Sequence, residues 1–129
     1  MTAVVDASAA ILLLLNPSTA RSVDELARAG SLHAPNHFDI ECMSALRRAA
    51  QLGTLDRSAL ASLGNAVMDL PVTRHSLQGL VPRMVELLDN ASMYDAAYVA
   101  LAEGLEAELW TADHRLARIP SLRCAVHLL

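Results

Sequence analysis

Thr2-Ala3-Val4-Val5-Asp6-Ala7-Ser8 is a short apolar run, β-branched at Val4 and Val5, that drives into an aspartate. Such a run reads as a buried strand over residues 2–6. A very apolar helical run, Ala9 to Leu15, follows at once. Asp6 therefore stands where a strand gives way to a helix, and it or Ser8 can cap that helix. A charge at an apolar junction is costly unless it has something to bind.

The rest of the chain repeats the alternation. The first helix should end near Asn16-Pro17, because the residue before proline disfavours helix. Ser18 can cap a second helix to about Ala29, stopped by Gly30. A strand is expected over Ser31 to Ala34, then a helix from about Asn36 to Leu52. Its apolar stripe is Phe38, Cys42, Ala45, Leu46 and Ala49. His37, Glu41, Ser44 and Arg48 share a neighbouring stripe, and Gly53 closes the helix. Asp56 caps the next one, to about Leu70. Pro71-Val72-Thr73 is a brief extended piece. Helix over Leu77 to Leu88 has to start at Val81 or kink there, because of Pro82. Asp89 to Ser92 is a loop, Tyr94 to Ala102 a helix ended by Gly104, and Glu108 to Thr111 a strand. Asp113 lies just beyond it, before a short helical turn to Ile119. Residues 123–128 read as a last strand. No repeat, linker or low-complexity segment interrupts the pattern.

Strands near residues 2, 31, 108 and 124 separated by helices predict an α/β fold with a parallel sheet and helices on both faces. Right-handed crossovers restrict its topology. Ligands of such sheets sit beyond the carboxyl ends of the strands. Asp6 and Asp113 both fall there.

The totals fit that picture. The chain has 129 residues, the size of one compact domain. Hydrophobic residues are 53% but aromatics only 3%, so Leu, Ala, Val and Met must build the core. Mean hydropathy is +0.32, high for a small monomer, which points to a buried interface. The net charge of −4 comes from 14 acids and 10 basic residues, all arginine. An acidic balance argues against nucleic acid. Setting Asp6, Glu41, Asp95 and Asp113 aside from the fourteen, however, leaves ten acids against ten arginines. A bound cation would offset part of that local charge where a phosphate must approach. Cys42 and Cys124 are expected as free thiols in a reducing cytosol. The Ala9–Leu15 run is far too short for a bilayer span, which takes about 20 residues. No positive residue precedes Arg21, which opposes a secretory signal.

Each acid alone has a plain explanation. Asp6 and Asp113 can be caps, Glu41 a solvated helix residue, and Asp95 a first-turn acid favoured by the helix dipole. Together they are harder to dismiss. Asp95 interrupts a very apolar run, Met93 to Ala102, and all four fall where strand ends and helix starts meet. Like charges so close need a cation or protonation to coexist. Oxygen-only ligands favour a hard ion such as Mg²⁺ or Mn²⁺. The histidines form no zinc pattern with the cysteines. His37 is expected to be a solvated surface residue, although its spacing from Glu41 would also let it assist a metal or contact RNA.

The acids in Val4-Val5-Asp6-Ala7-Ser8, Glu41, Tyr94-Asp95-Ala96-Ala97-Tyr98 and Trp110-Thr111-Ala112-Asp113 resemble the pattern of PIN-domain ribonucleases. The short length and the Tyr-Asp-Ala-Ala-Tyr stretch are similar to the VapC toxins of bacterial toxin–antitoxin pairs. The resemblance spans the whole chain and implies a three-layer α/β/α sandwich. It also implies a Mg²⁺- or Mn²⁺-dependent endoribonuclease, a homodimer, and a VapB antitoxin that blocks the site. Carried over, Asp6, Glu41, Asp95 and Asp113 are the metal-site acids, with Ser8 and Thr111 as polar companions. His114 receives no fixed role. Arg48 and Arg115 are candidate phosphate contacts, and the apolar helices before the second strand a candidate antitoxin groove and dimer face. Two rivals remain. One is a phospho-acceptor receiver module, which would use a lysine near its last strand, whereas this chain contains none. The other is a PIN-like fold that only docks a partner.

Overall fold

The computed structural model describes residues 2–16, 28 and 30–129. Five strands form one sheet: β1 (Thr2–Val5), β2 (Ser31–Pro35), β3 (Val72–His75), β4 (Glu108–Thr111) and β5 (Val126–Leu128). Their order is β3-β2-β1-β4-β5, and every pairing is parallel. The helices are α1 (Ala7–Leu15), α2 (Phe38–Gln51), α3 (Leu60–Met68), α4 (Val81–Glu86), α5 (Met93–Gly104) and α6 (His114–Ala117). A 3-10 turn, Arg57–Ala59, precedes α3 and is capped by Asp56.

β1 is central because it is the most apolar strand. Ala3, Val4 and Val5 are all essentially buried, although successive side chains face opposite sides of a sheet. Both faces are therefore covered, as a parallel sheet requires. Helix α5 packs across β1, β2 and β4, while α1 lies against α2 and β4. The result is the expected three-layer α/β/α sandwich. Phe38, Leu46, Leu87, Tyr98, Leu109 and Leu116 are its largest fully buried side chains.

The chain runs from β1 to β2 and β3 on one side, then returns to place β4 and β5 on the other. The direction of winding reverses between β1 and β4, which opens a crevice at their carboxyl ends.

Several expectations need correction. Val72–His75 is a full strand, paired with β2 from Leu32↔Val72 to Pro35↔His75, not a brief extended piece. Arg74 fixes it: its guanidinium binds Asp39 at 2.9 Å and donates to the carbonyls of Val67, Leu70 and Val72. Helix α4 does start at Val81, with Pro82 in its first turn, where the missing N–H costs nothing. It ends at Glu86 rather than Leu88. Gly104 ends α5 as expected, and the helix begins one residue earlier than expected, at Met93. Gly53 closes α2 with φ +80, a conformation natural to glycine. The helix expected over Ser18 to Ala29 lies outside the described residues except for Arg28, and so does its part of the proposed groove. No helix among the described residues is long and apolar enough to cross a membrane.

Candidate metal-dependent active site

Asp6 ends β1 and caps α1. Its backbone N–H binds the Trp110 carbonyl at 3.0 Å, which ties it to β4. Oδ1 accepts from the Ser8 hydroxyl at 2.7 Å and from the Ala9 N–H at 2.9 Å, while the Thr111 hydroxyl donates to Oδ2. Each hydroxyl has a single proton and gives it to Asp6. Their oxygens then accept from β4's own continuation, Ser8 Oγ from Ala112 N–H and Thr111 Oγ1 from Asp113 N–H. Ser8 and Thr111 thus lock the Asp6 carboxylate and the β4–α6 turn to each other.

That lock predicts its own test. Thr111→Val keeps the shape but leaves the Asp6 oxygen and the Asp113 N–H unpartnered. A buried polar group left so costs about 1–3 kcal/mol. The melting temperature should fall by roughly 5–10 °C, and an unchanged melt would show that the hydroxyl does not hold the turn.

Asp95 sits in the first turn of α5, which is capped by Ser92: its hydroxyl accepts from the Asp95 N–H at 3.1 Å. Asp113 caps α6, and its oxygens accept from the Arg115 N–H at 2.9 Å and from the Arg115 guanidinium at 3.0 Å. Glu41 lies on α2 with its Oε1 2.9 Å from His37 Nε2. That approach lacks the direction of a hydrogen bond. Both atoms, and the hydroxyl of buried Tyr98, have no hydrogen-bond partner among the described residues.

The electrostatics join these acids into one site. Burial, then the charges of Asp113 and Glu41, push the Asp95 carboxyl above its ordinary range. Burial also raises Asp6, against the three hydrogen bonds it accepts, with Asp95 adding to the rise. Asp113 is the exception, because the Arg115 guanidinium holds it below its usual range. Burial and the nearby Glu41 carboxylate keep the Tyr98 phenol protonated. Burial, with Asp39 and Glu41, pushes the Cys42 thiol up to about 12, so it offers no thiolate.

Asp95 is therefore the hub: it feels Asp113 and Glu41, and Asp6 feels it. The surplus negative charge, the hard-oxygen donors and the unpartnered Glu41 oxygen fit a hard divalent cation. Among the described residues no three His, Cys, Asp or Glu side chains form a ready-made chelate.

Of the remaining candidates, Ser8 and Thr111 stand at Asp6 and Arg115 at Asp113. Arg48 does not join the cluster. It is exposed in the last turn of α2, roughly 10 Å along the axis from Glu41. His114 is exposed beside Asp113. His37 is not the solvated surface residue expected. Its side chain is 16% exposed and its ring meets Tyr94 and Tyr98 edge-on, with centroids 5.7 and 5.1 Å away. The sequence assigns no role of their own to Tyr98 and Ser92. The signal for Tyr98 was its spacing of three from Asp95, which puts both on one helix face.

The PIN domain profile matches residues 3–122. Ribonuclease VapC9 of Mycobacterium tuberculosis is 46% identical over 127 residues, 95% of this chain and 94% of that protein. Two solved structures share the fold. PAE2754 from Pyrobaculum aerophilum superposes with a TM-score of 0.73 at 23% identity, over 98% of this chain and 83% of that one. A chain of VapBC2 from Rickettsia felis, bound to a promoter DNA fragment, gives 0.72 at 11% identity, over 99% and 98%. An acid cluster at the β1–β4 crevice, a family profile over nearly the whole length, and a VapC relative at almost half identity agree: the chain belongs to the PIN-domain family, among its VapC members.

Proposed function

We propose that the chain is a Mg²⁺- or Mn²⁺-dependent endoribonuclease, the toxin of a toxin–antitoxin pair, restrained by a VapB-type antitoxin. The observation that carries this is Asp95 with Asp6, Glu41 and Asp113 around it at the winding switch of a parallel sheet. Similarity to VapC ribonucleases supports RNA as the substrate and the antitoxin as the partner.

Asp6 and Asp95 would hold the ion, with Glu41 and Asp113 completing its shell directly or through water. When bound, a divalent cation lowers the pKa of a coordinated water and offsets charge developing on the phosphate. The protein's own groups do the rest. Ser8, Thr111 and the Ala9 N–H fix the Asp6 carboxylate and leave lone pairs on Oδ2. Glu41, whose Oε1 lies 2.9 Å from His37 Nε2, or Asp113 would orient the attacking water. Arg115 supplies a cation for the substrate. Its side chain is 88% exposed while its guanidinium stays paired with Asp113, so its charge faces the substrate without that pair breaking. Arg48, farther along α2, would meet the RNA backbone away from the cut.

A homodimer accounts for the apolar surface. Val81, Val85 and Leu88 are all more than half exposed at spacings of four and three, which places them on one side of α4 and its extension. Light scattering that shows only monomer would remove this part.

The deciding experiment incubates the purified protein with structured and unstructured RNAs, in Mg²⁺ or EDTA. Cleavage in Mg²⁺ that EDTA stops is expected. No cleavage in either would leave a docking module. Independently of activity, saturating metal should raise the melting temperature. A hundredfold excess over Kd stabilises by about 2.7 kcal/mol, a shift on the order of 10 °C. No shift at millimolar metal would count against the site.

A further inference from the structure

Beside the acids lies a pocket of about 270 Å³, lined by Asn90, Asp95, Arg115, Leu116 and Ile119 among others. Its floor is apolar, for Leu116 and Ile119 are both buried. Its rim is polar. Asn90 is exposed in the loop before α5, and among the described residues its side-chain amide makes no hydrogen bond. Arg115 binds Asp113 through Nε at 3.3 Å and Nη2 at 3.0 Å, which holds the guanidinium plane at the mouth.

Each feature selects against other occupants. A phosphate would lose its hydration on the apolar floor and meet the Asp95 carboxylate in the wall. The volume is just below the roughly 300–1,000 Å³ of pockets for drug-sized ligands, which suits one flat ring system. Apolar walls and a guanidinium face are the surfaces on which an unstacked base lies. A primary amide offers a donor and an acceptor side by side, the complement of a base edge. The pocket shares Asp95 with the site, so its occupant belongs to a nucleotide next to the reacting phosphate.

We propose that this pocket receives one splayed-out nucleobase of a single-stranded RNA, flanking the scissile phosphate, and that Asn90 reads its edge. Sequence choice at that position then comes from Asn90 rather than from the acids. The inference rests on the ribonuclease reading but has its own test.

Two measurements decide it. In the first, RNA oligonucleotides that differ only at the nucleotides beside the cut are cleaved in Mg²⁺. The unmodified protein should prefer one base by roughly tenfold. Asn90→Ala should bring that preference to within about twofold, with the loss carried by KM. A variant that keeps the original preference overturns the proposal. In the second, the four homopolymeric 2′-O-methyl tetranucleotides are titrated in EDTA and followed by NMR. Shifts at Asn90, Leu116 and Ile119 that fade in Asn90→Ala are expected. If no RNA is cleaved, the ribonuclease reading fails and this arm judges the pocket alone. Shifts elsewhere, or none, overturn it.

Discussion

Asp95→Asn is expected to abolish RNA cleavage in Mg²⁺, by on the order of 10³-fold or more, while leaving the metal-free protein as stable as before or more so. Two opposing effects act on the Asp95 charge. As a first-turn acid of α5 it gains about 0.3–1 kcal/mol from the helix N-terminus. Burial and the carboxylates of Asp113 and Glu41 act against it. The carboxyl is raised above its ordinary value of 3.8, so the unfavourable side wins.

A group whose folded pKa is raised stabilises the fold below its unfolded value and loses that contribution as pH rises through the folded one. In EDTA, melts of the unmodified protein should therefore improve as pH falls through the raised pKa of Asp95 toward its ordinary value of 3.8. Asp95→Asn should show less of this rise, and the difference between the two should be largest near neutral pH. In saturating Mg²⁺ the order should reverse, because only the unmodified protein gains binding energy. A large loss of stability in EDTA would make Asp95 a structural residue and undo the site.

The parts of this molecule readable from its sequence were those fixed by local chemistry. An apolar β-branched run must be buried, so β1 and the junction at Asp6 followed. Proline at position 82 had to start a helix or kink one, and α4 starts beside it. What escaped was fixed by partners far away in the chain. Thr73, Arg74 and His75 are too polar to suggest a strand, yet Asp39 and three carbonyls capture Arg74 and hold β3 at the sheet edge. His37 has nothing around it in sequence to exclude water. Its cover comes from Tyr94 and Tyr98 of α5. The four acids read as candidates for one set, because strand ends and helix starts of a parallel sheet converge. The capture of Asp113 by Arg115 could not be foreseen, since each residue alone reads as a cap or an exposed charge.

The largest effect on stability should come from a residue outside the site. Arg83 on α4 donates through Nε to Glu103 at 2.7 Å, through Nη2 to Glu103 at 3.2 Å and to the Ser121 carbonyl at 2.7 Å, and through Nη1 to Glu86 at 3.0 Å. It thereby joins α4 to α5 and to the segment leading into β5. The Arg83 and Glu103 side chains are only 15% and 9% exposed, so this pair is not screened as surface pairs are. Burial raises the Glu103 carboxyl, but Arg83 and the Arg123 N–H outweigh it and leave it below its ordinary value. Arg83→Met should cost about 3–5 kcal/mol, because it strands a buried carboxylate, a drop of roughly 10–20 °C in Tm. Stability from a lowered carboxyl is present above its unfolded value of 4.5 and is lost as pH falls through the folded one. The gap between variant and unmodified protein should therefore narrow in acid. Adding Glu103→Leu to Arg83→Met should recover much of the loss, since replacing both charges with apolar groups is often neutral. If the double variant is as unstable as the single one, the Arg83 stem and its bond to Ser121 hold the fold, and the ion pair does not.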